Sequence, residues 1–250
     1  MSFESLTPPQ FNRELELQQT QFPFDKGVLT KINFALEDLC SLYNLSIVPM
    51  REKHEYLQEE IEKNPYPTDV QNDEDYRLLR INQAIDEQGD KLNSMQSFSK
   101  QVTSVYTWAL LEQAENKLIN LIEKEKNNHE SDGFSDWKRR KKYFKNFDIK
   151  IDEFKRYNEV LELQKFNNKV KHLGRVDKEL AGMKTFKNKE NHPLEFVTIP
   201  LADYINNTYL YLLELMISIE DKIFPETKFY WVRRCVVTSG LMGQTWGIGA

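Results

Sequence analysis

The sequence predicts an all-α protein, and three features of its composition and spacing carry that prediction. Glu, Lys, Leu, Asn and Gln are abundant whereas only 9 of the 250 residues are glycine, a balance that favours helices over sheets. Apolar residues recur at three- and four-residue steps over long segments, as they do on one buried helix face. The hydrophobic fraction of 40% is enough for a sizeable core in one large domain or two small ones.

Helix-start residues and apolar spacing in the N-terminal part of the chain predict a helical extension. Thr7, followed by two prolines, fits a helix start, and this helix would run to about Gln19. A second helix begins near Asp25 on a strong apolar stripe, and Pro49 either interrupts it or begins the next segment. Residues 50–63 are strongly charged and predict an exposed helix, which a proline-rich loop then ends.

We expect the helical extension to occupy residues 1–95 and a second helical domain to occupy residues 96–226. The last helix of the extension carries apolar residues between positions 76 and 92. The next helix, about 99–126, has the clearest core pattern in the chain. A polar loop then leads to a short basic helix at 137–147.

The rest of the second domain is also predicted to be helical. Residues 151–173 form a long helix that ends at Gly174, a residue type that commonly follows a helix C-terminus. Residues 175–180 fit a short helical turn, and after a loop residues 201–224 form the final core helix. Residues 227–250 combine aromatic and β-branched residues with four glycines, and we expect an irregular tail.

Composition limits the classes of function that the chain can have. The net charge of −5 does not indicate general nucleic-acid binding, although a local basic patch would still bind phosphates. Cys40 and Cys235 do not form a disulfide framework, and the start lacks the pattern of a signal peptide, so we expect a cytoplasmic protein. No membrane span, cofactor fingerprint or zinc-ligand spacing is present, and we expect no cofactor and no metal.

The C-terminal half of the helix at 151–173 carries the most concentrated polar pattern in the sequence. At about 100° per residue, Lys165, Asn168 and His172 stack along one line opposite the apolar stripe. Asn167 lies at the edge of that stripe. A solvated polar face explains this pattern, and so does a binding site. Leu161 in the same polar line favours a face that a partner subunit covers.

The same segment, Asn167-Asn168-Lys169-Val170-Lys171-His172, resembles the signature helix of HEPN domains. That family motif has an arginine, a polar residue, three variable residues and a histidine near a helix end. The polar residue and the histidine match, and Asn167 stands where the motif has arginine. Residues 103–122, which include Glu112, resemble the earlier core helix of these domains, and the likeness covers roughly residues 100–225.

The resemblance implies an all-α, dimeric protein of the kind linked with bacterial anti-phage defence or toxin–antitoxin systems, together with an antitoxin or another defence-system partner protein. Active members are metal-independent endoribonucleases with a composite site at a homodimer interface. By this resemblance His172 would be the general acid/base. Lys165, Asn167 and Asn168 would hold phosphate or ribose, and Glu112 would orient the motif by charge-assisted hydrogen bonding.

The arginine of the motif supplies a fixed cation, and Asn167 brings no charge, so a lysine would have to replace it. Lys165, Lys169 and Lys171 are the candidates, and the last two are also expected to bind RNA. The alternative is a catalytically inactive fold of the same kind that binds RNA or a nucleotide, or that acts as a protein-interaction module.

A dense basic run between Trp137 and Lys145 is the second candidate for RNA contact. Its cations are Lys138, Arg139, Arg140, Lys141 and Lys142. Interleaved aromatic residues suit RNA, because bases stack on Trp or Tyr while lysines meet phosphates. The other interpretation is an exposed helix whose Trp137, Tyr143 and Phe144 pack inward.

Overall fold

A computed structural model describes residues 3–9, 27–131 and 133–225 of the chain, and these are helical with no β-strand among them. The all-α prediction is therefore confirmed for the described part of the chain. Within these described ranges, six α-helices follow one another, and two short 3-10 helices lie between them at Ile151–Glu153 and Leu194–Phe196. The α-helices are α1 Val28–Lys63, α2 Asp73–Asn127, α3 Trp137–Lys145, α4 Tyr157–His172, α5 Lys178–Ala181 and α6 Leu201–Ile223.

Helices α1 and α2 form a long antiparallel hairpin, joined by the predicted loop. The Asn72 side chain caps α2 by accepting from the amides of Glu74 and Asp75, and Asp75 in turn accepts from the Asn72 amide. Asn82 donates to the carbonyl of Asn64 at 3.0 Å, which ties the start of α2 to the end of α1. The hairpin is thus held in register at its loop end.

The expected break at Pro49 is wrong, because α1 continues through it as one 36-residue helix. Proline has no amide hydrogen to bond the carbonyl four residues earlier, but Ile47 and Met50 on either side are buried, which holds the segment helical. The predicted gap between the helices near 92 and 99 is also absent, and α2 runs unbroken for 55 residues. No proline interrupts that stretch.

The main core lies where α1, α2, α4 and α6 meet. Fully buried side chains include Leu36 of α1, Leu118 of α2, Phe166 of α4 and Leu212 of α6. A second, smaller cluster is formed by the loop half of the hairpin, with Met50, Leu57, Ile85 and Leu92 at its centre. The first half of α1 therefore belongs to the same core as the C-terminal helices.

The expected boundary between residues 95 and 96 lies inside α2, which is continuous there. The predicted helix at 151–173 begins as a 3-10 turn, and α4 itself starts only at Tyr157. Leu173, expected in the apolar stripe, is 49% exposed because it is the C-cap residue of α4, with φ −120° and ψ −30°.

The chain ends are described only in part. In residues 3–9 the Leu6 amide and carbonyl bond the Asn44 side chain of α1 at 2.7 and 2.8 Å. The expected first helix up to Gln19 and the irregular tail at 227–250 lie outside the described residues, apart from Thr7 to Pro9, which are not helical. In the described part of the chain, no helix has the length and apolarity needed to span a bilayer.

We expect Pro49→Ala to raise the free energy of unfolding by about 1–3 kcal/mol, because alanine restores the amide donor within a continuous helix. Urea unfolding followed by far-UV circular dichroism measures this change. Pro65→Ala, in the interhelical loop, is the matched control and should lower stability by up to about 1 kcal/mol through the unfolded state. An unchanged or lower stability of Pro49→Ala would contradict a continuous α1.

Candidate functional site

The motif segment occupies the last two turns of α4, and Gly174 ends the helix as predicted. Gly174 has φ +64°, and its amide and that of Leu173 both donate to the Lys169 carbonyl at 2.9 Å. His172 lies in the final turn and is exposed, as is Asn168 one turn earlier. The polar line expected on this helix is therefore on the surface at its end.

A polar cleft of about 280 Å³ lies between the end of α4, the middle of α2 and the start of α3. His172, Lys171, Asn168 and Asn167 line one side of it. Other lining residues are Trp108, Glu112, Ser135, Asp136, Trp137 and Gln164. The fold thus brings Glu112 and the motif residues, which are some 55 to 60 positions apart in sequence, to one cleft.

Asn167 is the most unusual polar group in this cleft. Its side chain is 2% exposed, and its Nδ2 is 3.5 Å from Oδ1 of Asn168. Its own Oδ1 has no hydrogen-bond partner among the described residues. An unpaired buried carbonyl of this kind costs about 1–3 kcal/mol, so Asn167 lowers the stability of the fold where it stands.

A buried ion pair between α2 and α3 holds together the two helices that form the wall of the cleft. Arg140 Nε donates to Oε2 of Glu115 at 2.6 Å, and both side chains are fully buried. Arg140 Nη2 donates to Oε1 of Glu112 at 2.8 Å, and Nη1 donates to the Phe134 carbonyl at 2.6 Å. Each of its three guanidinium nitrogens therefore has a partner within the chain.

Two further donors converge on Glu115. Tyr211 of α6 donates its hydroxyl to Oε1 at 2.7 Å, and Trp137 Nε1 donates to the same oxygen at 3.3 Å. Burial raises the pKa of the Glu115 carboxyl, while Arg140 and these hydrogen bonds oppose that rise. Burial beside Glu115 also raises the pKa of Tyr211 well above its usual range, so that this hydroxyl remains a donor.

Glu112 is placed in the cleft, but its hydrogen bond differs from the one expected. Its side chain is 30% exposed, and among the described residues it bonds Arg140 rather than the motif. Glu115 and Tyr211 were missed by the sequence-based prediction. A signal existed for Glu115, because it lies four residues after Leu111 and three before Leu118, on the buried face of α2. A carboxylate there requires a cationic partner.

Lys165 and Lys169 face a neighbouring cavity of about 260 Å³ and are paired with acids of the α5 region. Lys165 Nζ lies 3.3 Å from Glu179, and Lys169 Nζ lies 2.6 Å from Asp177. Partial burial raises the pKa of Asp177, whereas the hydrogen bonds from Lys169 and from the Leu180 amide lower it. The hydrogen bonds outweigh burial, so the pKa of Asp177 lies below its usual value. Lys171 is exposed and has no acidic partner in the described part of the chain.

The basic helix α3 presents only part of its charge to solvent. Lys138, Arg139 and Lys142 are exposed, whereas Lys141 is half-buried, with its Nζ 2.7 Å from the Tyr157 hydroxyl. The expectation that Arg140 contacts RNA does not agree with its complete burial.

The aromatic residues of α3 pack inward, in line with the second of the two interpretations. Trp137 is 6% exposed, packs edge-on against Trp108 and stacks on Tyr157. Phe144 is fully buried, and Tyr143 donates its hydroxyl to Glu123. No ring of this run is therefore free to stack on a base in this conformation.

The described residues contain no group of three or more His, Cys, Asp or Glu side chains arranged to hold a metal ion. Comparisons of the chain with protein-family models, with curated proteins and with solved structures give no significant match.

We expect Arg140→Ala to lower the free energy of unfolding by about 3–5 kcal/mol, because it leaves the buried Glu115 carboxylate without its cation. Arg139→Ala, one residue away and exposed, is the control and should change stability by less than about 0.5 kcal/mol. Urea unfolding of both variants measures the difference. Equal effects of the two substitutions would contradict a structural role for Arg140.

Proposed function

We propose that the protein is an RNA-directed effector of toxin or anti-phage type, and that the cleft at the end of α4 is its RNA site. The observation that carries this proposal is the juxtaposition of an exposed His172, a buried Asn167 with an unpaired oxygen, and Glu112 in one polar cleft. The resemblance of residues 167–172 to the HEPN motif is consistent with such a site. A cytoplasmic location and a partner protein that neutralises or triggers the effector belong to the same proposal.

The proposed reaction is metal-independent cleavage of the RNA backbone. The ribose 2′-oxygen attacks the adjacent phosphorus, its proton passes to a base, and the 5′-oxygen leaves with a proton from an acid. His172 would serve as one of these two groups. In a homodimer with a composite site, His172 of the partner subunit would serve as the other. The Asn167 and Asn168 amides would hold phosphate or ribose.

The cation for this reaction would come from Lys171, since Arg140 is buried and Lys165 and Lys169 are paired with acids. Lys138, Arg139 and Lys142 would hold phosphates of the strand outside the cleft, because they are exposed on the adjoining helix α3. In this proposal, residues of α3 position the RNA strand, and His172 of α4 transfers a proton.

A second candidate is a non-catalytic module of the same architecture that binds RNA, a nucleotide or a protein. Two observations favour it: Asn167 brings no charge where the resembling motif has arginine, and two of the three candidate lysines are paired with Glu179 and Asp177. Binding without cleavage requires only the hydrogen bonds of the cleft and the exposed cations. The two candidates differ in whether His172 is needed for a reaction.

We expect the purified protein to cleave single-stranded RNA in EDTA, and His172→Ala to reduce the rate by about 10²–10⁴-fold, because proton transfer is lost. His192→Ala, an exposed histidine outside the cleft, is the control and should leave the rate unchanged. Gel analysis of end-labelled RNA measures the rate, and circular dichroism checks that both variants remain folded. RNA binding without cleavage in the wild-type protein would favour the second candidate.

We expect Lys171→Ala to weaken RNA binding more than Lys165→Ala, since only Lys171 lacks an acidic partner among the described residues. The slope of log binding constant against log salt should fall by about 0.7 for Lys171→Ala on single-stranded RNA. For Lys165→Ala the slope should change by less than half of that. Fluorescence anisotropy over a salt series measures both slopes, and equal slopes would argue against Lys171 as the phosphate cation.

A further inference from the structure

The cavity of about 260 Å³ beside the RNA cleft has a strongly cationic lining. Its acidic lining residues are Asp136 and Glu179. Its basic lining residues come from α3 and α4 and are Lys138, Lys141, Lys165 and Lys169. The lining therefore has a formal charge of +2, in a chain whose net charge is −5. Such a local excess of cations attracts anions. We name this space the lysine cavity.

Glu179 already places an anionic group beside two of these lysines. Its Oε1 lies 3.3 Å from Lys165 Nζ, and its Oε2 lies 3.7 Å from Lys169 Nζ. The two lysine side chains are 18% and 15% exposed, whereas the Glu179 side chain is 57% exposed. The two ammonium groups are thus held in the cavity wall, at positions where they bind two oxygens of one anion.

The Glu179 carboxylate is free to leave these lysines while the α5 region stays in place. An ion pair whose carboxylate is more than half exposed contributes little to stability, because solvent screens it. The next residue, Leu180, is fully buried and holds the segment on the core. Asp177 is attached more firmly, since its Oδ1 accepts from the Leu180 amide at 2.9 Å and its Oδ2 lies 2.6 Å from Lys169. Glu179 is therefore the displaceable acid of this region.

Lys141 adds a cation that no acidic residue in the described part of the chain pairs. Its Nζ lies 2.7 Å from the Tyr157 hydroxyl and 4.7 Å from the centre of the Tyr157 ring. These contacts fix the position of the ammonium group, but a neutral hydroxyl and a ring face do not neutralise its charge. The lysine cavity thus offers an anion one fixed cation at once and two more when Glu179 moves aside.

The lysine cavity adjoins the RNA cleft. Both are lined by Asp136, Trp137, Gln164 and Asn168. A ligand with its phosphate among the lysines therefore has room to extend its remaining part along the cleft.

We propose that the lysine cavity binds a phosphate monoester, and that Glu179 occupies the phosphate position when this ligand is absent. A phosphate diester carries one negative charge, as Glu179 does, and gains little by replacing a carboxylate that is already part of the chain. A monoester carries about −1.5 to −2 charges at pH 7 and has three strong acceptor oxygens. The extra charge and the third oxygen favour its exchange with Glu179.

Two sources carry such a group: the terminal phosphate of an RNA strand and a free nucleotide. The RNA source rests on the proposed function, whereas the phosphate site itself does not. A strand with hydroxyl ends leaves Glu179 on Lys165. Such a strand is the substrate for which the small effect of Lys165→Ala is expected.

Inorganic phosphate tests the lysine cavity without RNA. The full chain is titrated at about pH 7 and constant ionic strength, and amide signals are followed by NMR. Glu179→Gln should lower the dissociation constant about fivefold, because the competing carboxylate is gone. Lys165→Ala, added to Glu179→Gln, should raise it at least about tenfold.

The matched controls are Glu190→Gln and Lys187→Ala, which change exposed residues outside the cavity lining. Each should alter the dissociation constant less than about twofold, since distant exposed charges are screened. An equal gain from Glu190→Gln would mean a general charge effect and would overturn the proposal. So would a Glu179→Gln chain that is less stable and binds phosphate no better than the wild type, since Glu179 would then be a structural partner only.

RNA hexamers with a 5′-phosphate, a 3′-phosphate or hydroxyl ends distinguish the two sources. With RNA as the source, one terminal phosphate should tighten binding at least about tenfold, and Lys165→Ala should remove this gain. Equal affinities for all hexamers, together with binding of adenosine 5′-monophosphate, would assign the site to a free nucleotide. Binding of none of these phosphates would sink the idea. Neither measurement involves cleavage, so a failed phosphate titration leaves the His172 test standing, and the reverse also holds.

Discussion

The buried ion pair between Arg140 and Glu115 is the interaction on which the arrangement of the cleft depends. Glu115 belongs to α2, Arg140 to α3 and the hydrogen-bonding Tyr211 to α6, so one carboxylate joins three helices. A carboxylate at this depth is stable only with its cation and donors in place, and this requirement sets where α3 lies on the core. Trp137, on the first turn of α3, completes the same network and walls the cleft.

This constraint also determines which charges remain for a ligand. Arg140 is bonded to Glu112, Glu115 and the Phe134 carbonyl. The dense basic run therefore presents only the charges of its exposed lysines and of Arg139 at the surface. Glu179 and Asp177, in the α5 region, likewise form ion pairs with Lys165 and Lys169. The cleft therefore combines a histidine, amides and two carboxylates, Glu112 and Asp136, with a single unpaired lysine, Lys171, among its described residues. With only one unpaired lysine in the cleft, a ligand there would be bound through hydrogen bonds as much as through charge.

The small outer cluster, the cleft and the main core are connected by one continuous helix, α2. Helix α2 passes from the small outer cluster at Ile85 and Leu92 to Glu112 at the cleft and Leu118 in the main core. No proline, the usual cause of a sharp kink in a long helix, occurs within α2.

Local patterns in the sequence predicted much of the fold and part of the site. The final helix from Leu201, the helix end at Gly174 and the outward line of Asn168 and His172 follow from spacing and helix-ending residues alone. Two expected helix breaks are absent: α1 continues through Pro49 between buried neighbours, and α2 continues between residues 92 and 99, where no proline interrupts it.

The sequence by itself determined the helical class, the stripe that α4 buries and the exposure of His172, since each depends on residues within a few turns of one another. Only the tertiary structure decided that Arg140 is a core residue, that Lys165 and Lys169 are paired, and that Glu112 shares a cleft with the motif. These ion pairs join residues of different segments that are 8 to 28 positions apart, from Lys169 with Asp177 to Arg140 with Glu112. Helical periodicity carries no information about such partners, because the packing of whole helices brings them together.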